Sequence, residues 1–572
     1  MNPPIPPQIL QRLQTGVDLL QRGRPDEAAA VFRGLVAEQP GLGDGHRLLG
    51  LALRDAGEAA GAEASLRAAL EIDPTSGPAA VPLCELLLTQ GRGEDALAAI
   101  APLATSPGAD MHVLTAHGAA LKALGRLDEA RITYERAAAA APASAVAEHN
   151  LASVLGDLER FAESEAATRR AFAKGLDAPE TWLIHARALL GQSRLGEAET
   201  AYRAAIARCP DLVDAQGELA QLLWMRTGDA ATAAAALDAA IGAFPGLEPL
   251  KLRKGELLHA AGDLTGAYDA VAIADGPTAG PMSHIAAARL AVWSEPARAL
   301  AHASRAVAAA PDNLGALSAL CEAHLALGDG AAATAIAEDL RRRAPMDQHA
   351  IGLLATAWRL TGDPRYERIY DYDAFVGQSR IDTPDGWPDL ETYLADLAVA
   401  VGRLHAFHTH PIGQSVRHGS QTSQSLTHST DPAIRAFFQA VDGPIRRHIR
   451  ALGDGDDLVR SRRSRDYDFS GIWSVRLRST GYHTDHLHPK GWLSSACYIA
   501  LPGAVERGHE GWLKFGEPGV RTTPPMPAER FVKPEPGLLV LFPSYMWHGT
   551  VAFSGEEPRL TIAFDVVPTG IG

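Results

Sequence analysis

The first 350 residues consist of helical, apolar-periodic segments separated by short Gly- or Pro-containing breaks at a regular spacing. Prolines recur about every 34 residues, with two positions of the series missing, at Pro40, Pro74, Pro107, Pro142, Pro210, Pro245, Pro311 and Pro345. Glycine at 16, 50 and 118, alanine at 28, 62, 130 and 198, and a large apolar residue at 32, 66, 134 and 202 keep the same phase. Because proline ends a helix and small residues let helices approach closely, each unit is predicted to be a packed helix pair.

A unit of this length and pattern resembles the tetratricopeptide repeat, a helix-turn-helix. The span 9–345 holds about ten such units, of which two, around 145–175 and 247–280, are degenerate in sequence. Arrays of this type offer a groove that suits extended peptides, so the resemblance implies a peptide or protein ligand as the partner. A capping helix or linker is expected over 351–370, directly after the repeats of 1–350.

From residue 371 the pattern changes from helical repeats to mixed elements. Helical periodicity appears at 387–407 and 431–452, and short apolar runs separated by Gly and Pro follow, which are typical of strands: Ile472–Arg478, Leu493–Leu501, Trp512–Phe515, Leu538–Phe542 and Leu560–Val567. The predicted architecture is therefore multidomain. An all-α tetratricopeptide-repeat solenoid precedes an α+β double-stranded β-helix (jelly-roll) domain over 371–572, whose core spans 471–568.

Composition and charge narrow the possible functions. The chain has 572 residues, 46% of them hydrophobic, which is ample for several folded cores. Its net charge of −15 argues against binding to nucleic acid or to an anionic membrane. The four cysteines are far apart, and the first residues lack the charged and apolar regions of a signal peptide, so a cytoplasmic location is expected.

Histidines cluster in the last third of the chain. The densest group is Gly481-Tyr-His-Thr-Asp-His-Leu-His-Pro489, followed sixty residues later by His548 and eleven residues after that by Arg559 in Arg559-Leu-Thr561. Alternate residues at a strand end point the same way, so two of these side chains can reach one face of a metal ion. A distal histidine from a strand across the barrel then completes a facial ligand set.

This pattern resembles the iron(II)- and 2-oxoglutarate-dependent oxygenases. The runs His-x-His-Pro, Gly-Trp-Leu-Ser-Ser…Tyr-Ile-Ala-Leu-Pro and Leu-Phe-Pro-Ser…Trp-His-Gly-Thr are similar to oxygenase domains found behind tetratricopeptide repeats. The resemblance implies Fe(II), 2-oxoglutarate and O2 as metal, cosubstrate and oxidant. It also implies that Arg559 binds the far carboxylate of the cosubstrate, together with Thr561 and Tyr498, since a guanidinium can donate two parallel hydrogen bonds.

Two sets of metal ligands fit the sequence. His486 and His488 with His548 match the His-x-His-Pro run and the distance to the next strand, whereas His483 and Asp485 with His548 match the usual preference of non-haem iron for a carboxylate. We prefer the first set, with His486, His488, His548 and Arg559 as the catalytic residues, and keep the second as the alternative.

The leading functional hypothesis is a 2-oxoglutarate-dependent non-haem iron dioxygenase that hydroxylates a peptide or protein side chain presented by the repeats. One alternative is a small-molecule hydroxylase that uses its repeats for partner docking. A second alternative is a repeat scaffold without catalysis.

Overall fold

The computed structural model describes residues 6–271 and 279–569. The chain falls into two compact units, Met1–Arg208 and Cys209–Gly572. The first unit is a series of six helix pairs: α1 (Pro7–Gln21), α2 (Pro25–Glu38), α3 (Gly43–Asp55), α4 (Ala59–Ile72), α5 (Gly77–Thr89), α6 (Gly93–Ala104), α7 (Met111–Ala123), α8 (Leu127–Ala140), α9 (Ala145–Asp157), α10 (Phe161–Ala173), α11 (Pro179–Gly191) and α12 (Leu195–Arg208).

The in-phase residues hold these pairs together as the sequence predicts. A methyl group added to Gly50 would lie 2.6 Å from Leu66, and one added to Gly118 would lie 2.8 Å from Tyr134, so the small residue of the first helix makes room for the large residue of the second. Gly57 adopts φ +82° in the turn between them, a conformation that side chains disfavour. The pairing of tetratricopeptide-type helices is thereby confirmed.

The second unit begins with further repeats. Its helices are α13 (Val213–Thr227), α14 (Ala230–Ala243), α15 (Glu248–Ala260), α16 (Leu264–Val271), α17 (Pro281–Ala291), α18 (Pro296–Ala309), α19 (Leu314–Leu327), α20 (Gly330–Arg343) and α21 (Gln348–Thr361). Part of the degenerate span 247–280 lies outside the described residues, whereas 145–175 contains the regular pair α9 and α10.

The segment 351–370 contains most of α21 and a short helix after it. Helix α21 ends at Thr361, Gly362 takes a left-handed conformation with φ +68°, and Pro364 precedes a short helix α22 (Arg365–Ile369). Glycine after a helix and proline soon beyond it are the standard end of a helix, and here they interrupt an otherwise helical pattern.

A mixed domain completes the second unit. Its elements are α23 (Tyr372–Phe375), β1 (Gly377–Arg380), α24 (Leu390–Gly402), β2 (Val416–Gln421), α25 (Pro432–Ala451), β3 (Asp466–His486), β4 (Leu493–Ala500), β5 (Leu513–Phe515), β6 (Arg530–Val532), β7 (Leu538–Pro543), β8 (His548–Thr550) and β9 (Arg559–Thr569). Helices α24 and α25 pack against the sheet, where the rings of Phe437 and Phe564 lie 6.2 Å apart.

The strands form a curled antiparallel sheet in the order β1-β7-β4-β9-β3-β8-β5-β6, with β2 also paired to β3. Strand β3 links one half of the sheet, β1-β7-β4-β9, to the other half, β8-β5-β6. Its residues 466–477 pair with β9, and its residues 483–486 pair with β8. A jelly roll is built from two such layers of antiparallel strands. The predicted fold class, repeat helices followed by an α+β double-stranded β-helix, is confirmed.

Within the second unit, the repeats pack directly on the mixed domain. The Trp224 indole donates a hydrogen bond to the His410 carbonyl oxygen at 2.9 Å. The Trp547 indole, on the turn before β8, donates to Thr356 Oγ1 of α21 at 2.9 Å. None of the helices in the described ranges combines the length and apolarity needed to cross a membrane.

Candidate metal centre

Three histidines meet at one edge of the jelly roll. His486 is the last residue of β3 and lies opposite His548, the first residue of β8, in the antiparallel register. His488 follows two residues beyond the strand, where its backbone N–H donates to Ser544 O at 2.9 Å. Nitrogen atoms of the three rings all lie within 4.8 Å of one another. This is a spacing at which three imidazoles can share one metal ion.

A β-bulge at the end of β3 decides which side chains meet. His483 pairs with Thr550 and His486 pairs with His548, so three steps along β3 match two along β8. His483 and His486 both line the same cavity, whereas Asp485 does not. The Asp485 carboxylate instead accepts a hydrogen bond from Lys514 Nζ at 2.9 Å.

In each of the three rings, an oxygen atom lies within hydrogen-bond distance of Nδ1, so Nε2 is the nitrogen that could bind a metal. Nδ1 of His486 lies 2.8 Å from Thr484 O, and Nδ1 of His548 lies 2.9 Å from Met546 O. A carbonyl oxygen can only accept a hydrogen bond, so both Nδ1 atoms carry the proton and both Nε2 atoms are unprotonated. Burial lowers the pKa of His486 to about 3 and that of His548 well below its usual value, which keeps both rings neutral.

His488 is held in the same way by a carboxylate. Its Nδ1 lies 2.5 Å from Asp565 Oδ1, and its Nε2 lies 3.2 Å from Nε2 of His486. Two bare nitrogens at this distance repel each other unless a cation lies between them. The donor set therefore fits a metal ion, and each ligand is oriented by a hydrogen bond on its opposite nitrogen.

Asp565 and its serine neighbours are functional candidates that the sequence reasoning missed. The buried carboxylate of Asp565 also accepts from Ser494 Oγ at 2.7 Å, and Ser494 Oγ lies 2.9 Å from Ser544 Oγ. The sequence of the last strand contains an indication of this role, because Arg559, Thr561 and Asp565 are separated by even numbers of residues and therefore lie on one face of the strand. An aspartate among the apolar residues of a core strand was the second indication.

The opposite end of the cavity holds Arg559. This side chain is only 2% exposed, and its Nε donates to Gly511 O at 3.1 Å. No carboxylate of the described residues forms an ion pair with it. Its guanidinium lies 5.0 Å from the ring centroid of Tyr498, whose buried hydroxyl has no hydrogen-bond partner of good geometry in the described chain. A buried cation without a counter-charge fits an anionic ligand.

The two ends belong to one cavity of about 590 Å³. Arg559, Thr561 and the three histidines line it, whereas Tyr498 lies behind Arg559 and supports it from the core. The polar segment 414–422 contributes Ser415, whose Oγ lies 3.2 Å from His486 Nε2. Helix α15 of the repeats contributes His259 and Ala260. The repeats and the jelly roll thus share one cavity within the second unit.

Comparison with known protein families gives matches in both the repeats and the mixed domain. Residues 471–565 match the family described as "Putative 2OG-Fe(II) oxygenase". Tetratricopeptide-repeat families match residues 13–77, 53–112, 112–144, 149–213, 185–248 and 294–357. No curated protein matches the chain.

Several solved structures are similar to parts of the chain. A tetratricopeptide repeat protein from Parabacteroides merdae is 17% identical, with 45% of this chain and 97% of that one covered and a TM-score of 0.35. Pseudomonas aeruginosa PilF is also 17% identical, with 37% and 97% covered and a TM-score of 0.34. Yeast Tom70 is 11% identical, with 64% and 91% covered and a TM-score of 0.37. From the family matches, the chain contains tetratricopeptide repeats across its N-terminal region and, over residues 471–565, a C-terminal domain that matches the family described as "Putative 2OG-Fe(II) oxygenase".

Proposed function

We propose that the chain is an Fe(II)- and 2-oxoglutarate-dependent dioxygenase that hydroxylates a peptide or protein side chain. The observation that carries the proposal is the convergence of three imidazoles whose Nδ1 atoms are all engaged by oxygen acceptors. We assign His486, His488 and His548 as the ligands of Fe(II). Bound there, the metal would supply the chemistry that activates O2 at the expense of 2-oxoglutarate.

Arg559 is proposed to anchor the cosubstrate. 2-Oxoglutarate carries two carboxylates, and its far carboxylate needs a fixed cation at the end of the cavity opposite the metal. Arg559 lines that end and has no ion pair within the described residues. Thr561 lies two residues along the same strand and lines the cavity beside it. Tyr498 keeps the guanidinium in place from behind.

The remaining side chains around the metal orient ligands and exclude water. Asp565 fixes the ring of His488 through Nδ1 and keeps its Nε2 directed at the metal. The ring of Phe542 lies 4.6 Å from that of His548, and the ring of Phe515 lies 6.4 Å from it. These apolar rings keep bulk solvent away from one side of the histidine cluster, which strengthens electrostatic interactions there.

The choice of a polypeptide substrate is supported by the repeats, whose family commonly binds proteins, and by the entry of α15 into the cavity wall. A cytoplasmic location is part of the proposal, in keeping with four cysteines that are all free thiols.

The test uses the full chain with Fe(II) and 2-oxoglutarate in the absence of oxygen. A weak visible charge-transfer band is expected, because chelation of iron by a 2-oxo acid creates that transition, and succinate should form once oxygen is admitted. His548→Ala should abolish the band, whereas His428→Ala, at an exposed histidine, should keep it. No band in the wild type, or an unchanged band in His548→Ala, would refute the proposed metal site.

A further inference from the structure

A second cleft, of about 750 Å³, adjoins the 590 Å³ cavity that the three histidines and Arg559 line, which we call the metal cavity. One wall comes from repeat helices α15, α17, α19 and α21, and the other comes from the segments around Leu487, Val520 and Trp547 of the mixed domain. We call it the repeat groove. It shares His259, Gly413, His486, Leu487 and Pro489 with the metal cavity. A molecule that lies in the repeat groove therefore reaches a proposed iron ligand directly.

The repeat wall of this groove exposes apolar side chains. Met282 is 55% exposed and Trp293 is 44% exposed, and Ile285 and Leu290 lie beside them in the lining. Exposed apolar clusters on soluble domains mark binding surfaces, and methionine and tryptophan are residues that such surfaces favour. Leu487 and Trp547 place apolar side chains in the opposite wall as well.

Two of the three carboxylates of the groove have a cationic partner. Asp485 is 2.9 Å from Lys514 Nζ and Glu256 is 3.3 Å from Arg253, whereas Glu322 lies 3.6 Å from His349, which is a counter-charge only when protonated. A cationic ligand would have to compete with these pairs, although the chain as a whole carries a charge of −15. Among the described lining residues Arg289 is an exposed guanidinium, which disfavours a cationic ligand further.

Successive repeats each contribute to the wall. The first helix of four consecutive units lines the groove: α15 with Leu252, α17 with Met282, α19 with Glu322 and α21 with His349. A wall to which several successive repeats contribute suits an extended main chain, which can contact each repeat in turn.

We propose that the repeat groove binds an extended, predominantly apolar polypeptide segment, one residue of which passes His259 into the metal cavity. This inference rests on the proposed function and names the substrate class of the same site. Met282 and Trp293 then act as specificity residues that hold the flanks of the segment, and the target residue is presented to the metal by the groove.

The test uses two libraries of short fluorescent peptides, with either apolar residues spaced by serine or lysines spaced by serine around a randomised centre. Binding to the full chain is measured by fluorescence anisotropy without iron, and succinate release is measured with iron, 2-oxoglutarate and oxygen. The apolar library should bind more tightly and stimulate succinate release. Met282→Glu and Trp293→Ala should each weaken its binding about tenfold, the effect of losing one interface anchor.

Met346→Glu is the matched control, because Met346 is a repeat methionine of similar exposure, 49%, that does not line the groove. Tighter binding of the lysine library, equal damage from Met346→Glu and Met282→Glu, or binding of neither library would overturn the inference. The anisotropy needs no oxygenase activity. Absence of the charge-transfer band would therefore count against the proposed function alone, and the peptide result would still decide the groove.

Discussion

The two ends of the metal cavity are built in different ways. At the arginine end, one strand carries both lining groups, Arg559 and Thr561, and strand pairing on both sides sets their position: Leu477 of β3 lies opposite Arg559, and Tyr498 of β4 lies opposite Thr561. At the histidine end, the proposed ligands come from β3, from the loop after it and from β8, and each ring is oriented by its own hydrogen-bond acceptor.

The side chains at the arginine end are therefore positioned by one strand and its two neighbours, whereas those at the histidine end are positioned by contacts between distant parts of the sequence. A change at the arginine end removes one charge and leaves the strand ladder in place. The histidine end depends on a residue distant in sequence, because Asp565 lies on β9 and His488 lies after β3. Strand β9 thus serves both ends, with Arg559 at the proposed cosubstrate position and Asp565 behind the proposed metal site. Substitutions on this one strand can therefore test whether the two ends act separately.

The largest effect is expected from Arg559→Ala. Removing the buried guanidinium leaves the far carboxylate of 2-oxoglutarate without a partner, a loss of about 2–5 kcal/mol. The 2-oxoglutarate concentration at half-maximal charge-transfer band should rise about thirtyfold or more, while Fe(II) affinity measured without 2-oxoglutarate changes little. The 2-oxoglutarate affinity of Arg559→Lys should lie between those of the wild type and Arg559→Ala, because lysine keeps the charge but not the paired donors. A folded Arg559→Ala variant with wild-type 2-oxoglutarate affinity would contradict the separation of the two ends.

The same contrast explains what the sequence could predict. Arg559 and Thr561 are two residues apart on one apolar strand, so the period of the strand alone puts them on one face. The ligands at the histidine end could be predicted only with knowledge of the bulge between His483 and His486, which is a property of the pairing with β8. Sequence spacing therefore left two ligand sets open, and the hydrogen bond from His488 to Asp565, across 77 positions, was out of reach of local reasoning.

The fold followed the same division. Helix pairs repeat within short stretches, and their proline and glycine phase predicted them well. Of the three-residue strands, β5 was predicted within the apolar run Trp512–Phe515, whereas β6 and β8 were not predicted. The contacts between repeats and jelly roll, such as Trp547 with Thr356, join residues 191 positions apart and left no local signal.

A smaller effect, confined to the metal, is expected from Asp565→Asn. The amide can still accept from His488, but it lacks the charge that makes the imidazole a stronger ligand, so Fe(II) affinity should fall about tenfold, the lower end of the usual effect of such partners. Competition with a coloured chelator measures this directly. Asp468→Asn, at an exposed carboxylate on β3, is the control and should bind Fe(II) like the wild type. A change in 2-oxoglutarate affinity as large as that in Fe(II) affinity would mean that β9 couples the two ends.

The smallest effect is expected from Asp485→Asn, which separates the two ligand sets. If His486 and His488 bind the metal, Asp485 only pairs with Lys514, and that lysine keeps its second partner, Glu517 Oε2 at 2.5 Å. Burial raises the pKa of Asp485 to about 6, which indicates a poorly solvated carboxylate whose neutral replacement costs little. Fe(II) affinity should therefore change less than about threefold, in line with the small value of most partly exposed ion pairs.

If the alternative set, His483 and Asp485 with His548, binds the metal, the Fe(II) affinity of the same variant should fall strongly. An amide is a far weaker ligand than a carboxylate for divalent iron, so loss of a true ligand at Asp485 would cost at least as much as loss of a supporting residue, about tenfold to a hundredfold. His488→Ala measured beside it completes the discrimination, because it should abolish tight Fe(II) binding under the preferred set and spare it under the alternative. Weak binding by Asp485→Asn together with tight binding by His488→Ala would reverse the assignment, and the bulge in β3 would then have to rearrange when the metal binds.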